Sequence, residues 1–525
     1  MTALAEFVPA AGIHDRLRRD ARWLIPCAVG ALNALAFAII APNVNDIFAA
    51  TARESAVLHG VGLKYWFGWF GGGSTPGNYS VLTPYLSALL SAIWLAAIAT
   101  AAIDPLAWLA LRETAHPIAG MWVTTWTAGL NLWSGRVPFA LGCLMAVLTV
   151  VSVLRRRAGL AALLAVLTVA SSPVAGAFVG IVLAGVFLSR PEWRRTVLLA
   201  IVPIGVSLLA VALVFGQPGP ESFTLLQLGQ LLAAASMLQV AAGPDWVRTT
   251  VWLTVLATPL VFLIPNGLGD NLLRLVAYCL PAVVVATSPR RVRVALLGAC
   301  VALAVSTKQS AGDVFEGTQQ TASPSYYAGL IDELATMRPS LLGCRLEVVD
   351  DGTHTASYAL LDHAMLARGY EYQEDNALNA VLSERHLDAV QYKIWLDNNA
   401  VCFVAIAGTH RRKITPEYHL VSAERPPYLG EVWRNSSWTL YRVRHATPIV
   451  TAPARVVGFS QSWLQVRVPC ACTVGVRVRK PENLRALTTP PPGASAALVA
   501  ATLAPDGFGW TTMITVAPGI YTLSG

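Results

Sequence analysis

Long apolar runs, separated by short and often basic connectors, fill this chain as far as about Ser306, and none follows between Thr307 and Gly525. A helix that crosses a bilayer needs about 20 mostly apolar residues, with a lower limit near 17. The runs 23–41, 197–215 and 223–241 meet that demand, and 272–286 meets it with its flanks. A soluble domain carries about 25% charged residues. This chain carries 13%, against 55% hydrophobic, and lipid is the solvent that accommodates such a balance. The first apolar run is long, starts late and lacks a small-residue cleavage site after it, so it reads as a retained span and not as a signal peptide.

Eleven spans are expected, at 23–41, 79–102, 117–132, 137–154, 158–171, 174–189, 196–215, 223–241, 249–265, 271–287 and 293–306. Lys/Arg bias sets their orientation. Arg16, Arg18, Arg19 and Arg22 precede the first span; Arg155–Arg157 follow the fourth; Arg190, Arg194 and Arg195 follow the sixth; Arg290, Arg291 and Arg293 follow the tenth. An odd count puts all of these clusters on one side. The expectation is an integral plasma (inner) membrane protein, N-terminus cytoplasmic and C-terminal region extracytoplasmic. The net charge of +8 is then a topology signal beside anionic lipid, and nucleic acid is not an expected partner.

The expected fold class is a polytopic α-helical membrane protein of about 11 spans with a C-terminal exported α/β plus β-sandwich region. Its domains are 1–306, 307–445 and 446–525. In the second, Tyr326–Met337, Ser357–Ala367 and Ala389–Asn398 read as helices. Val401–Ala407 reads as a strand buried on both faces, and 431–443 as a hairpin. In the third, SWLQVRVP, CTVGVRVR and GIYTLSG alternate between Pro/Gly turns and suggest a small sandwich, with 488–493 as a loop. Cys27, Cys143, Cys279 and Cys300 fall in spans as apolar packing. Cys344, Cys402, Cys470 and Cys472 fall in the exported part, where disulfides persist. A Cys344–Cys402 bridge would join adjacent strands, and Cys470 and Cys472 would share one face.

The outer connectors carry the polar residues that ask for an explanation. The longest, about 42–78, holds a helix capped by Asn45 or Asp46 and running to His59. The rings of Tyr65, Trp66, Phe67, Trp69 and Phe70 follow, suited to the headgroup belt, and then a turn through Gly71, Gly72 and Gly73. Asn131, Ser134 and Arg136 join spans three and four; Gln217 and Glu221 join seven and eight; Asp270, Asn271 and Arg274 lie between nine and ten. Arg136 and Arg274 break the positive-inside bias. Each either snorkels to lipid phosphate, pairs with a carboxylate such as Asp270, or awaits a phosphate ligand.

Asp46, just past the first span, is the candidate acid/base; helix capping is its other reading. A carboxylate near low dielectric is costly as an anion and is kept for a partner or a proton. Glu54 is either a second polar group of the site or a solvated residue paired with Arg53 or Lys64. No nucleotide-binding G-x-x-x-x-G-K-[ST] occurs, the halves of the membrane region do not mirror each other, and no solenoid repeat is present. In the tail, Trp433, Trp438, Tyr441, Trp463 and Trp510 either stack on sugar rings or fill a β core. His354, Asp362, His363 and Glu371 match no familiar ligand spacing and read as surface groups.

A long first outer loop with an acid after the first span, an interfacial helix, eleven or so spans and an exported tail together resemble the GT-C class of glycosyltransferases over nearly the whole chain. The high-GC residue usage suggests an actinobacterial type. The resemblance implies transfer of a sugar from a polyprenyl-phosphate donor to a cell-envelope glycan or lipid acceptor. Asp46 would be the base, because a hydroxyl nucleophile needs one. Arg136, Arg274 or Lys64 would stabilise the leaving phosphate, and Glu54, Asn131, Asp270 and Asn271 would complete the substrate-binding set. A divalent cation is left open as cofactor. The alternatives are a transporter or flippase for a lipid-linked saccharide, and a non-catalytic envelope assembly protein.

Overall fold

A computed structural model describes residues 21–216, 219–408, 415–488 and 498–525. The expectations for Arg16, Arg18, Arg19, Gln217 and the prolines of the 488–493 loop lie outside the described residues. The chain forms two compact units. One comprises 1–50 with 78–315, the other 51–77 with 316–525.

The first unit is helical. Each of the eleven expected segments contains a helix, but seven among the described residues are long and apolar enough to cross a membrane. These are Ala21–Ile40, Ala92–Leu111, Val137–Leu154, Pro191–Phe215, Asp245–Leu263, Gly269–Thr287 and Val292–Gly317. Ala158–Ser171, Pro173–Ser189 and Leu225–Ala241 are apolar but shorter, and Pro117–Trp133 is helical. At 1.5 Å per residue, the 14 residues of Ala158–Ser171 span roughly 21 Å, short of the roughly 30 Å hydrocarbon core. Seven spans are therefore supported by length and composition among the described residues, not the expected eleven.

The second expected span, 79–102, is displaced. Thr83–Leu90 and Ala92–Leu111 are separate helices. Ser91 breaks them at φ 66° and accepts the Trp94 N–H on its side chain. A continuous apolar run conceals such a break; the serine N-cap is its sequence signal.

Helices of this unit bury one stripe and leave large apolar side chains outside. On Arg194–Phe215, Val197, Ala200 and Ile204 are buried while Val206, Leu209 and Leu213 are exposed. Leu225 and Leu263 stand out similarly. Water would not tolerate that surface, and lipid does. Helix contacts use small residues, as close packing in lipid requires. Gly120 lies against Ala282 and Ala286, and Gly142 against Ser172 and Ala175.

The second unit contains two sheets. In the first, β1 (Arg345–Val348), β2 (Val401–Ala407), β3 (Leu429–Arg434) and β4 (Trp438–Val443) are ordered β1-β2-β4-β3. β1 and β2 are parallel, and β3 and β4 form the expected antiparallel pair. β2 is buried along its whole length, because Tyr392, Trp395 and Leu396 from Ala389–Asn398 join Val401, Val404 and Ile406 in one core. The expected 357–367 helix is reduced to Ala356–Ala359. The second sheet is antiparallel, from β5 (Arg455–Phe459), β6 (Trp463–Val468), β7 (Thr473–Val476), β8 (Arg485–Thr488), β9 (Ala500–Pro505), β10 (Thr511–Ile514) and β11 (Gly519–Ser524). Its order is β5-β6-β11-β8-β9-β10-β7. Val466, Val474, Met513, Tyr521 and Leu523 share one core, so this single sheet curls around its own apolar face. Disulfides join Cys344 to Cys402 and Cys470 to Cys472.

The 51–77 segment overturns one expectation. Its aromatic rings belong to the core of the second unit and not to a headgroup belt. Tyr65, Trp66, Phe67, Trp69 and Phe70 are all buried. Tyr65 Oη donates to the Arg479 carbonyl at 3.0 Å, Trp66 Nε1 to Gln461 Oε1 at 3.1 Å, and Trp69 Nε1 to the Ser357 carbonyl at 2.9 Å. An amphipathic ring satisfied at one polar tip suits either setting, so composition could not separate them. Gly71, Gly72 and Gly73 all have positive φ. A Cβ on Gly71 would stand 2.7 Å from the Arg345 guanidinium carbon, whose Nη2 donates to the Gly71 carbonyl at 2.8 Å. The glycine run is thus a close-approach site for a buried arginine.

Candidate active site

In the first unit, the turn Ser134–Gly135 connects the helix Pro117–Trp133 to Val137–Leu154. Gly135 has φ 74°. A Cβ there would lie 2.7 Å from both the Ile47 backbone nitrogen and Val44 Cγ2. Only glycine lets the start of the Asn45–Leu58 helix rest on this turn, and that contact brings Asp46 to Arg136.

Arg136 is 5% exposed and every guanidinium nitrogen is engaged. Nε donates to Asp46 Oδ2 at 3.2 Å, Nη1 to Tyr278 Oη at 3.2 Å and Nη2 to Asp313 Oδ2 at 2.9 Å. Its Cζ also lies 5.7 Å from the centre of the Tyr278 ring. Tyr278 sits in a π-helical turn, Leu275–Cys279, a local widening that recurs at functional positions. Its hydroxyl meets the Ser306 carbonyl at 3.2 Å, Gln309 Oε1 at 3.3 Å and Ser310 Oγ at 3.0 Å. Ser310 in turn is 3.0 Å from Ser134 Oγ. Asp46 and Asp313 each keep more than a quarter of their side chains accessible.

Asp270 adjoins this group. It accepts from Gln227 Nε2 at 2.5 Å and lies in electrostatic range of Arg274, Arg136 and Asp46. Arg274 is placed over the Phe139 ring at 5.8 Å and, among the described residues, makes no hydrogen bond or ion pair. Asn271 is buried where Leu272 begins the next helical turn. Asn131 is buried, and its Oδ1 has no hydrogen-bond partner among the described residues.

Asn131, Phe139 and Tyr278 line one part of a cavity of about 610 Å³ inside the helical unit. Ile103, Val150, Phe178 and Val283 contribute apolar wall, and Arg112, Glu113 and Arg155 also line it. Its size falls in the roughly 300–1,000 Å³ range of ligand pockets.

Asp46, Arg136, Asp270 and Arg274 are therefore brought together. Asn131 lines the cavity, as none of those four side chains does, and Asn271 is adjacent in sequence to Asp270. Glu54 and Lys64 belong to the second unit, where Glu54 lies in electrostatic range of Tyr358. Asp313, Tyr278 and Gln309 were not anticipated. Their signal was present: Ser306, Ser310 and Asp313 recur at helical spacing beyond the apolar run, in a helix that continues to Gly317. Asp104 was also passed over. It is buried in Ala92–Leu111, filling the space a Cβ on Gly30 would take.

Glu371, expected at the surface, is 7% exposed and ion-paired with Arg53. Arg53 and Glu371 thus pair across 318 positions of sequence. No group of three or more His, Cys, Asp or Glu side chains among the described residues could hold a metal ion. Of the tail aromatics, Trp438, Tyr441 and Trp510 are core residues, whereas Trp433 and Trp463 are half-buried.

No family model matches the chain, and no curated protein matches it.

Proposed function

We propose that this chain is a membrane-embedded glycosyltransferase resembling the GT-C class, with eleven spans, a cytoplasmic N-terminus and an exported tail. It would transfer a sugar from a polyprenyl-phosphate donor to an envelope glycan or lipid acceptor at the outer face of the plasma membrane. The observation that carries the reading is the convergence of Asp46, Asp313, Asp270, Arg136 and Arg274 beside Tyr278, which also lines the apolar cavity. Arg274 stands over Phe139, which lines the cavity, and a cation beside an apolar chamber suits a lipid-linked phosphate.

The roles follow from the contacts. Asp46 takes the proton of the acceptor hydroxyl, whose oxygen attacks the sugar's anomeric carbon. The bond to the lipid phosphate breaks, and the phosphate leaves with the electron pair. Arg136 is already committed to two carboxylates and a tyrosine, so it positions Asp46. Arg274, without such a partner, is the cation left for the phosphate. The two disulfides of the tail support an oxidising compartment for it.

The test uses purified full-length protein and radiolabelled polyprenyl-phosphate sugars. Asp46→Ala and Asp46→Asn should each lower transfer by about 10³-fold or more, the scale of a lost general base, with membrane insertion unchanged. Undiminished transfer by Asp46→Ala would remove the residue from the mechanism.

A further inference from the structure

The second unit has a feature that the transferase reading does not use. Two open hollows, of about 560 Å³ and about 340 Å³, share Leu342 as a lining residue. The smaller is lined by Trp463, Phe459 and Arg338. The larger is lined by Arg442 and Arg444 from the end of the β3–β4 hairpin.

The aromatic part is built from below. Trp463 opens β6, and its ring atoms Cζ3 and Cη2 lie 3.2 and 3.4 Å from where a Cβ of Gly458 would stand. The missing side chain lets the indole rest on the β5 backbone. Trp463 remains half-buried, whereas Tyr521 and Trp510 are enclosed. A supported indole offers the flat apolar surface on which a pyranose face can lie.

The cationic part is equally specific. Phe403, Arg442 and Gly430 stand in register across β2, β4 and β3. Gly430 leaves room beside Arg444, whose Nε is 3.9 Å from the position of its absent Cβ. Arg338, Arg442 and Arg444 are exposed, and among the described residues none has an ion pair. Glu431, the one acid lining the hollow, is taken by Arg434 at 2.6 Å. Uncompensated guanidiniums in a concave surface recruit carboxylate or phosphate.

We infer that the tail binds an acidic glycan along this groove, a sugar ring on Trp463 and its carboxylate or phosphate groups on Arg442 and Arg444. The inference stands whether or not the membrane unit transfers sugars. Full-length protein in detergent would be titrated with tetragalacturonate, with its neutral methyl ester, and with a phosphorylated mannopentaose, by calorimetry. At least one acidic probe should bind saturably, and which one does separates carboxylate from phosphate as the anion. The neutral ester should bind about tenfold more weakly or not at all. Trp463→Ala should weaken acidic binding by about tenfold or more, while Trp463→Phe keeps most of it. Arg442→Gln with Arg444→Gln should abolish the preference for acid and the dependence on salt. Binding of neither acidic probe at about 10 mM, or equal binding by the Arg442→Gln/Arg444→Gln protein, would overturn the inference.

Discussion

Arg136 and Arg368 are both guanidiniums shared among carboxylates, one in each unit. Arg136 engages Asp46, Asp313 and a tyrosine. Arg368 engages Asp375 at 2.9 Å, Glu417 at 3.3 Å and Glu347 at 3.6 Å. The surroundings differ. Asp46 and Asp313 remain partly accessible, whereas Glu347 and Glu417 are fully enclosed. Glu417 also accepts from Tyr392 Oη at 2.9 Å, and neither oxygen of Glu347 has a hydrogen bond among the described residues. The same ionic motif is thus built once around groups a substrate can reach and once around groups it cannot. Accessibility, and not the presence of a charged cluster, separates a candidate for chemistry from a device of the fold.

The comparison breaks most visibly at the arginines themselves. Arg368→Ala would leave three carboxylates, two of them enclosed, without their cation. Removing one partner of a buried pair costs about 3–5 kcal/mol. The expected outcome is a tail that is digested by protease while the membrane unit still inserts. Arg136→Ala should leave the tail protease-resistant and lower transfer by about 10²-fold or more through loss of Asp46 placement. If both substitutions produced the same phenotype, the distinction between the clusters would fail.

The next test is pH. Burial pushes the Glu417 carboxyl up to about 7, against the opposing pull of Arg368 and the Tyr392 hydrogen bond. Burial likewise raises Glu347, with Glu417 adding repulsion. A carboxyl whose folded pKa exceeds its unfolded value holds a proton that the unfolded chain has released. Through Glu417, stability therefore falls as pH rises from about 4.5 to about 7, and Glu347 adds a fall of the same sign. For Glu417 alone the fall is at most about 3 kcal/mol. Urea unfolding followed by tail tryptophan fluorescence at about pH 5 and about pH 7.5 measures it. Glu417→Gln should flatten the profile. A wild-type tail more stable at the higher pH would contradict the sign.

Much of this architecture was legible in sequence, and the failures share one cause. Long apolar runs located a helix in every expected membrane segment. Apolar patterning also located the buried strand Val401–Ala407 and the β3–β4 hairpin, because those signals are local. Long-range partnership was not legible. Tyr65, Trp66 and Trp69 looked like interfacial rings until their indole and phenol groups were seen to meet Gln461, Ser357 and Arg479, hundreds of residues away. Asp46 and Arg136 could be named singly from their positions beside apolar runs. Asp313 was missed because the apolar run had ended, although the helix had not. Trp463 and Trp438 are alike as strand residues, and only packing shows that one is enclosed and the other half-open.

The smallest expected effects come from two glycines, and they sharpen the comparison most. Gly135 and Gly71 both adopt positive φ, at 74° and 71°, and both would bring a Cβ to 2.7 Å of a neighbour. An alanine at either position is strained by roughly 1 kcal/mol or more. At Gly71 the neighbour is the Arg345 guanidinium, which binds backbone carbonyls of Gly71, Asn399 and Arg477. Gly71→Ala should therefore lower the unfolding midpoint of the tail and leave transfer per folded molecule unchanged. At Gly135 the neighbour is the Ile47 backbone nitrogen, one residue from Asp46. A displacement there of even about 1 Å moves the carboxylate off the arginine, and misplacement on that scale costs about 10²-fold in rate. Gly135→Ala should insert normally and lose kcat more than it gains KM. The reverse pattern, an inactive Gly71 variant and an active Gly135 variant, would place the functional centre in the tail and leave the Asp46–Arg136 contact with a purely structural role.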